Sequence, residues 1–427
     1  MPQKEESVAA FGLVGHPLAH SWSPYIHELL GSSPYVLHDL EAEDAARLIR
    51  GGTWRGLNVT IPHKRLAAEL ADEQSPRVKR LGVANTLVRR EDGSLFAENT
   101  DVLGFAWMLD RFSRRAHGVS AAKLLANKKV IVFGSGGASK AVCAALEDVG
   151  ARTVVVSRSG KETYAGLPQR HPDAALLINT TPVGMFPSCP ASPLDDDVLP
   201  SLEELLGVLD VVYNPRRTGV CLAAERLGLP FESGLAMLVS QAFFASELFL
   251  GHSLDESLIE AVERKIATRS DNVILIGMPG AGKSSCGRAL ARLTGRPFVD
   301  IDEAIALECG KSAAQIIRDE GEEAFRATET RVVGDYGCRS GLVIACGGGV
   351  VTRPENYDLL HQNGTIVFLE RPIEELSLAG RPVSQQLGVE RIAAERMGLY
   401  HGWADVCLPC TGSAEGDASA IKALLEL

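Results

Sequence analysis

The chain has 427 residues, 45% hydrophobic and 23% charged, with a net charge of −11. That is a globular composition, too long for one ordinary core, so two or three domains are expected. The acidic balance and the lack of any Lys/Arg-rich run argue against nucleic-acid binding, and no stretch is apolar for long enough to span a bilayer.

The N-terminus, "MPQKEESVAAFGLVG", has no apolar signal core, so secretion is not expected. Nine scattered cysteines suit a reduced, cytoplasmic protein better than a disulfide framework. Four polar, loop-like segments come first. They are "GHPLAHSWSPYIH" (Gly15 to His27), "GLNVTIPHK" (Gly56 to Lys64), "GVANTL" with Asn85, and "ENTDVLG" with Asn99 and Asp101. One alone reads as turn and capping chemistry, as for Ser23 before Pro24. Four together offer one lysine, one aspartate and several neutral donors. That set suits a small polyhydroxylated substrate with an anionic group.

Short apolar runs then alternate with helical patterns, the signature of parallel α/β units. Candidate strands are "KVIVF", "RTVVVS", "ALLIN" and "DVVYN". In "VIVFGSGGASKAV" a strand meets a glycine turn and a helix start. Gly134 permits the turn and Gly136 lets backbone approach a pyrophosphate, with Ser135, Gly137 and Ala138 completing the loop. The third fingerprint position holds Ser139 rather than glycine. Such turns also exist for packing alone. The next strand ends in Ser157, Arg158 and Ser159, where an NAD site wants an acid. A guanidinium with adjacent hydroxyls suits a 2′-phosphate, which favours NADP; a solvated surface arginine is the competing account.

Leu254 to Ala267 shows helical spacing at Leu258, Ile259, Val262 and Ile266. "TRSDN" reads as a short polar link, with a boundary near Ser270. A second α/β series follows: "NVILIG", "PFVDID", "GLVIACGGG" and "TIVFLE". "GMPGAGKS" fits the phosphate-loop pattern between a strand and a helix. Gly277, Gly280, Ala281, Gly282 and Ser285 would cradle phosphates, Lys283 would reach the β/γ oxygens, and Ser284 would bind Mg²⁺. Alone, the loop leaves hydrolysis or switching open.

If "FVDID" is extended, Asp300 and Asp302 point the same way. One would serve Mg²⁺ through water and the other would orient an acceptor hydroxyl. An N-capping role competes mainly for Asp302. Arg326 opens a helical pattern, Gly347, Gly348 and Gly349 follow a strand, Arg381 lies in a loop-like stretch, and Arg396 lies in "ERMGLYHGWAD". "CLPC", Cys407 to Cys410, has metal or redox spacing, but no further ligand follows at matching spacing.

The front part resembles shikimate dehydrogenase over essentially its whole length. The matching pieces are "HSWSP", "NVTIPHK", "GVANT", "NTDVLG", "GSGGAS", "INTTPVGM", "DVVYNP" and "GLAMLVSQA". The resemblance implies a substrate domain at 1–110 and 236–269, with a C-terminal helix returning to it, and a Rossmann-like NADP domain at 111–235. It implies that Ser21 and Ser23 hold the substrate carboxylate, and that Thr60, Asn85, Tyr213 and Gln241 contact ring hydroxyls or carboxylate. Lys64 and Asp101 would be the catalytic pair, and Gly234 would border the cofactor. Trp22 between the serines and Ser157 before the arginine depart from the usual pattern. They leave shikimate or quinate open.

The part at 272–427 resembles shikimate kinase, a P-loop, nucleoside-monophosphate-kinase-like parallel-sheet domain. The resemblance assigns Arg326, Gly348 and Arg396 to the shikimate carboxylate and ring, with Gly347 and Gly349 beside them. It assigns Asp302 to the 3-hydroxyl and Arg381 to a lid over ATP. The segment before Arg381 is shorter and poorer in arginine than in many members.

The expectation is an α/β bifunctional enzyme. NADPH reduces 3-dehydroshikimate to shikimate, and MgATP then phosphorylates it to shikimate 3-phosphate. Its partners are small-molecule substrates, not nucleic acid or membrane; oligomeric state stays open. One alternative is a quinate/shikimate dehydrogenase joined to a kinase of another polyol, such as gluconate. Another is a regulatory ligand sensor, against which intact Lys64, Asp101, Lys283 and Asp302 argue.

Overall fold

The computed structural model describes residues 10–18, 21–376 and 388–427. The chain forms two compact units. The front unit contains the chain to Thr181, with Pro193–Tyr213 and Ala223–Arg264. The rear unit contains Pro182–Ser192, Asn214–Leu222 and Lys265–Leu427. Two of those rear segments fall, by sequence, inside the expected NADP domain. Arg217 explains one of them: its backbone N–H donates to Gln362 O at 2.8 Å and its guanidinium to His361 O at 2.9 Å.

Two sheets build the front unit. The first is β1 (Phe11–Gly15), β2 (Tyr35–Asp39), β3 (Gly56–Val59), β4 (Glu73–Gln74), β5 (Thr86–Arg89) and β6 (Leu95–Glu98), in the order β2-β1-β3-β5-β6-β4. It is mixed: β5 runs antiparallel to β3 and β6, while β1 is parallel to β2 and β3. The second is parallel: β7 (Lys129–Phe133), β8 (Arg152–Val156), β9 (Ala174–Asn179), β10 (Val208–Asp210) and β11 (Phe231–Glu232), ordered β11-β10-β9-β7-β8. All six residues of β9 are buried, as a strand covered on both faces requires. The strand order reverses beside β7, which opens a crevice where Gly134 and Thr180 follow β7 and β9.

The helix Thr100–His117 starts at Asn99, whose side chain caps it. The helix Leu235–Leu250 returns to the first sheet, stacking Phe249 on Phe11 with ring centroids 5.3 Å apart. Gly104 lets these helices close. A Cβ there would stand 2.8 Å from the Gln241 backbone nitrogen.

The rear sheet is parallel: β12 (Asn272–Ile276), β13 (Phe298–Asp300), β14 (Val343–Ala345), β15 (Gly364–Glu370) and β16 (Val406–Pro409), ordered β13-β14-β12-β15-β16. Buried β12 sits centrally, so the loop after it opens between the ends of β14 and β15. Truncating fully buried Ile274 to alanine would cost about 2–5 kcal/mol. No helix among the described residues is long and apolar enough to cross a membrane.

Three sequence expectations shift. "DVVYN" is not one strand: β10 ends at Asp210, whose buried carboxylate accepts from Asn179 and from the Val212 N–H, turning the chain. The helix expected to Ala267 runs Ser257–Ser270, so only Asp271 separates it from β12 and no polar link exists. The "FVDID" strand stops at Asp300. A helix, Ile301–Cys309, begins there, and Asp300 caps it by accepting from the Asp302 and Glu303 N–H groups. The cap is therefore Asp300, and Asp302 lies in the first helical turn.

Candidate active sites

In the front unit, Lys64 begins the helix Lys64–Leu70 and Asp101 lies in the first turn of Thr100–His117. Lys64 Nζ stands 2.6 Å from Asp101 Oδ2. Asn85 donates to Asp101 Oδ1 at 2.9 Å and to Thr100 Oγ1 at 3.0 Å, and reaches Gln241 Oε1 at 3.5 Å. Its own Oδ1 accepts from the Thr100 N–H at 2.7 Å and from Thr86 Oγ1 at 3.1 Å. Asn85 is thus fixed through both ends of its amide, and it fixes the carboxylate. Lys64, Asp101, Asn85 and Gln241 form one cluster.

Asn58 supports this cluster, although within "GLNVT" nothing in the sequence distinguishes it from its neighbours. It accepts from Tyr35 OH at 2.8 Å and donates to Thr86 Oγ1 at 3.2 Å. Ser21 Oγ donates to Ser23 Oγ at 3.1 Å and accepts from the Ser23 N–H. Ser23 opens the helix Ser23–Leu29 while Trp22 holds the cap position. Thr60 follows β3 and is half-buried, its N–H donating to Val14 O at 2.9 Å. Exposed Tyr213 follows β10, and no described hydrogen bond joins it to the Lys64–Asp101 cluster.

Beyond β7, Gly134 takes φ +102°, and a Cβ there would stand 2.9 Å from Thr180 Oγ1. Ser135, Gly136 and Gly137 are exposed and Ala138 half-buried; added Cβ atoms at Gly136 and Gly137 would meet nothing within 4 Å. That open space at the N-terminus of the helix Gly137–Asp148 fits a pyrophosphate. Ser139 is buried, so the third fingerprint position faces the interior. Arg158 and Ser159 are exposed, but Ser157 is buried and its N–H bonds Glu162 O at 3.0 Å. A Cβ on Gly234 would come 2.1 Å from Val211 O.

In the rear unit, Gly277, Gly280 and Gly282 take φ of +144°, +90° and +95°, which shape the loop before the helix Lys283–Thr294. Buried Lys283 donates from Nζ to Gly277 O at 2.8 Å and Met278 O at 3.0 Å. Ser284 is half-buried and Ser285 exposed at the helix start. The hydroxyl of Ser284 and the carboxylate of Asp300 are hard oxygen donors of the kind Mg²⁺ takes. Among the described residues no group of three or more His, Cys, Asp or Glu forms a metal cage. An ion held mainly by substrate phosphates needs none.

Beside the loop lies a cavity of about 510 Å³, lined by Asp302, Arg326, Glu329, Gly347, Gly348, Gly349 and Arg396 among others. Arg326 Nη1 donates to Glu329 Oε2 at 2.6 Å, and Arg396 Nη1 to Gly348 O at 3.0 Å. Tyr400 OH also donates to Gly348 O. A Cβ on Gly347 would stand 2.8 Å from Glu329 Oε1 and 3.0 Å from Asp302 Oδ1; one on Gly349 would stand 2.2 Å from Arg326 Nη1. The glycines therefore leave room for the charged side chains. Glu329 Oε1 and Arg396 Nε are buried with no partner among the described residues. Burial raises the Glu329 carboxyl pKa and nearby Asp302 adds to that, while Arg326 opposes it. A buried acid that anchors an arginine was absent from the sequence expectations. Its signal was the i, i+3 spacing from Arg326. Arg381 lies outside the described residues.

A sequence model of the shikimate dehydrogenase substrate-binding domain matches residues 13–87, and one of shikimate kinase matches residues 279–425. The shikimate dehydrogenase (NADP(+)) of Caldanaerobacter subterraneus subsp. tengcongensis is 31% identical over 282 residues, covering 60% of this chain and 96% of that protein. A solved chorismate mutase/shikimate 5-dehydrogenase fusion protein from Clostridium acetobutylicum matches with a TM-score of 0.53 at 30% identity, covering 60% of this chain and 96% of that one. A shikimate 5-dehydrogenase from Thermus thermophilus, solved with NADP(H) and shikimate, matches at 33% identity and a TM-score of 0.50, covering 60% of this chain and 98% of that one. The chain belongs to the shikimate dehydrogenase family and carries behind that part a shikimate kinase domain, making it a bifunctional shikimate-pathway enzyme.

Proposed function

We propose that the front unit reduces 3-dehydroshikimate to shikimate with NADPH, and that the rear unit phosphorylates shikimate on its 3-hydroxyl with MgATP. The observation that carries the first half is the Lys64–Asp101 pair, 2.6 Å apart and fixed by Asn85. NADPH supplies the hydride. Lys64 Nζ gives its proton to the ketone oxygen as negative charge builds there, and Asp101 holds the ammonium in place. Ser21, Ser23, Thr60, Tyr213 and Gln241 receive the carboxylate and hydroxyls. Exposed Arg158 and Ser159 support the choice of NADP over NAD.

In the rear unit, Arg326 and Arg396 take the substrate carboxylate through forked guanidiniums. Asp302 orients the 3-hydroxyl and accepts its proton as the phosphoryl group moves. Lys283 neutralises charge on the phosphates. Ser284, directly, and Asp300, through water, would hold Mg²⁺, which would supply positive charge beside the phosphates. The substrate domain at 1–110 and 236–269, the NADP domain at 111–235 and the kinase domain at 272–427 are the proposed functional divisions, and Arg381 the proposed lid residue. All nine cysteines are free thiols, which supports a cytoplasmic setting.

Steady-state assays of each half-reaction with the full chain test this. NADPH should outperform NADH, and shikimate should outperform quinate and gluconate in the respective reactions. Equal turnover with NADH, or phosphorylation of gluconate in place of shikimate, sinks the corresponding half.

A further inference from the structure

We propose that Arg371 is a positioning residue for the nucleotide: it fixes the phosphate loop from outside and ties it to the C-terminal helix. The inference rests on ATP being held by the loop Gly277 to Ser284. Ala281 sits between Gly280 at φ +90° and Gly282 at φ +95°. Glycine flanks leave the peptide between them little conformational preference of its own, so its orientation is set by what bonds to it. The Ala281 carbonyl accepts from Arg371 Nε at 3.2 Å and from the Cys410 thiol at 3.9 Å.

Arg371 stands just past the end of β15. Its Nη2 lies 3.7 Å from Asp417 Oδ2 and its Nη1 4.0 Å from Glu375 Oε2. Asp417 is buried in the helix Ala414–Leu424, and its other oxygen accepts from the Thr411 N–H at 2.6 Å and Thr411 Oγ1 at 2.8 Å. A buried carboxylate, a guanidinium and a loop carbonyl thus form one chain. Lys283 holds the first two carbonyls of the loop, at Gly277 and Met278, and Arg371 holds a later one at Ala281. Loss of the Arg371 contact leaves the Ala281 carbonyl with the longer 3.9 Å contact to the Cys410 thiol, a weak donor, so the peptide can turn and misplace the amides that meet phosphate oxygens. The consequence falls on ATP and not on shikimate, whose proposed cavity Arg371 does not line.

The test uses the full chain with Arg371→Met, Arg371→Lys and Asp417→Asn. The KM of Arg371→Met for ATP should rise about tenfold, the size of one charge-assisted hydrogen bond, with its KM for shikimate and its NADPH-dependent turnover changed by less than about twofold. Arg371→Lys keeps a cation beside Asp417 and should melt as the wild type does. Its KM for ATP should stay raised, because an ammonium cannot span both Ala281 and Asp417. Asp417→Asn should raise the KM for ATP, and adding it to Arg371→Met should raise it no further. An unchanged KM for ATP in both Arg371 variants, an equal rise for both substrates, or additive effects in the double variant overturns the proposal. A wild-type chain that uses no ATP overturns the kinase reading itself.

Discussion

Nζ of Lys64 lies 2.6 Å from Oδ2 of Asp101, while the other oxygen of that carboxylate accepts from Asn85. The side chains come from two helices whose first turns converge, so the pair is assembled by tertiary structure. Lys64→Met should lower dehydrogenase turnover by roughly 10²- to 10⁴-fold and leave the kinase rate unchanged. Retention of near-normal turnover reduces the pair to a structural ion bridge.

Gly349 has φ −98°, which any residue adopts, yet a Cβ there would stand 2.2 Å from both Nη atoms of Arg326. Gly349→Ala therefore acts by displacing that guanidinium. The expected outcome is a rise of about tenfold or more in the KM for shikimate, with the KM for ATP little changed. A wild-type KM for shikimate would mean that Arg326 does not hold the substrate.

Lys283 donates to two carbonyls of its own loop, and in the proposed complex its ammonium turns to phosphate oxygens. Lys283→Met should cut phosphoryl transfer by about 10²-fold or more, the scale seen when one preorganised donor is lost. Dehydrogenase activity of the same sample is the internal control for folding. Phosphorylation within about threefold of wild type contradicts the assignment.

His27 is buried, its ring stacked on Tyr35 at 4.1 Å and its Nδ1 facing Ser32 Oγ at 2.7 Å and Ser246 Oγ at 3.1 Å. Burial lowers its pKa to about 3, against a smaller opposing effect of Asn58. In the unfolded chain the ring protonates near pH 6.5. The unfolded state therefore binds the extra proton first. Stability from neutral His27 is fully present above about pH 6.5 and declines as pH falls toward 3, by about 2 kcal/mol between pH 7 and pH 5. NMR titration of the ring should show no protonation down to about pH 4. A midpoint near 6.5 would falsify this account of the packing.

Both glycine loops were legible in the sequence because local sterics call for glycine there: Gly134, Gly280 and Gly282 all take positive φ. The apolar strands were legible too, since strands covered on both faces are near-continuous hydrophobic runs. From sequence, Asp300 and Asp302 read as one extended segment because the acidic first turn of a helix looks like a polar strand end; only the cap geometry separates them. Glu329 was hidden by the rule that acids lie outside, although its spacing from Arg326 was visible. The role of Arg371 is not legible locally, because its partner Ala281 lies 90 residues earlier. The membership of Pro182–Ser192 and Asn214–Leu222 in the rear unit was likewise a tertiary matter.

The most direct measurement supplies the purified full chain with 3-dehydroshikimate, NADPH and MgATP, and follows NADPH absorbance together with ³¹P NMR of the products. The expected result is NADPH oxidation accompanied by a new phosphate monoester on the 3-hydroxyl, absent when ATP is withheld and formed about 10²-fold or more slowly in Lys283→Met while NADPH oxidation continues. NADPH oxidation with ATP present but no phosphorylated product, or phosphorylation at another hydroxyl, would contradict it.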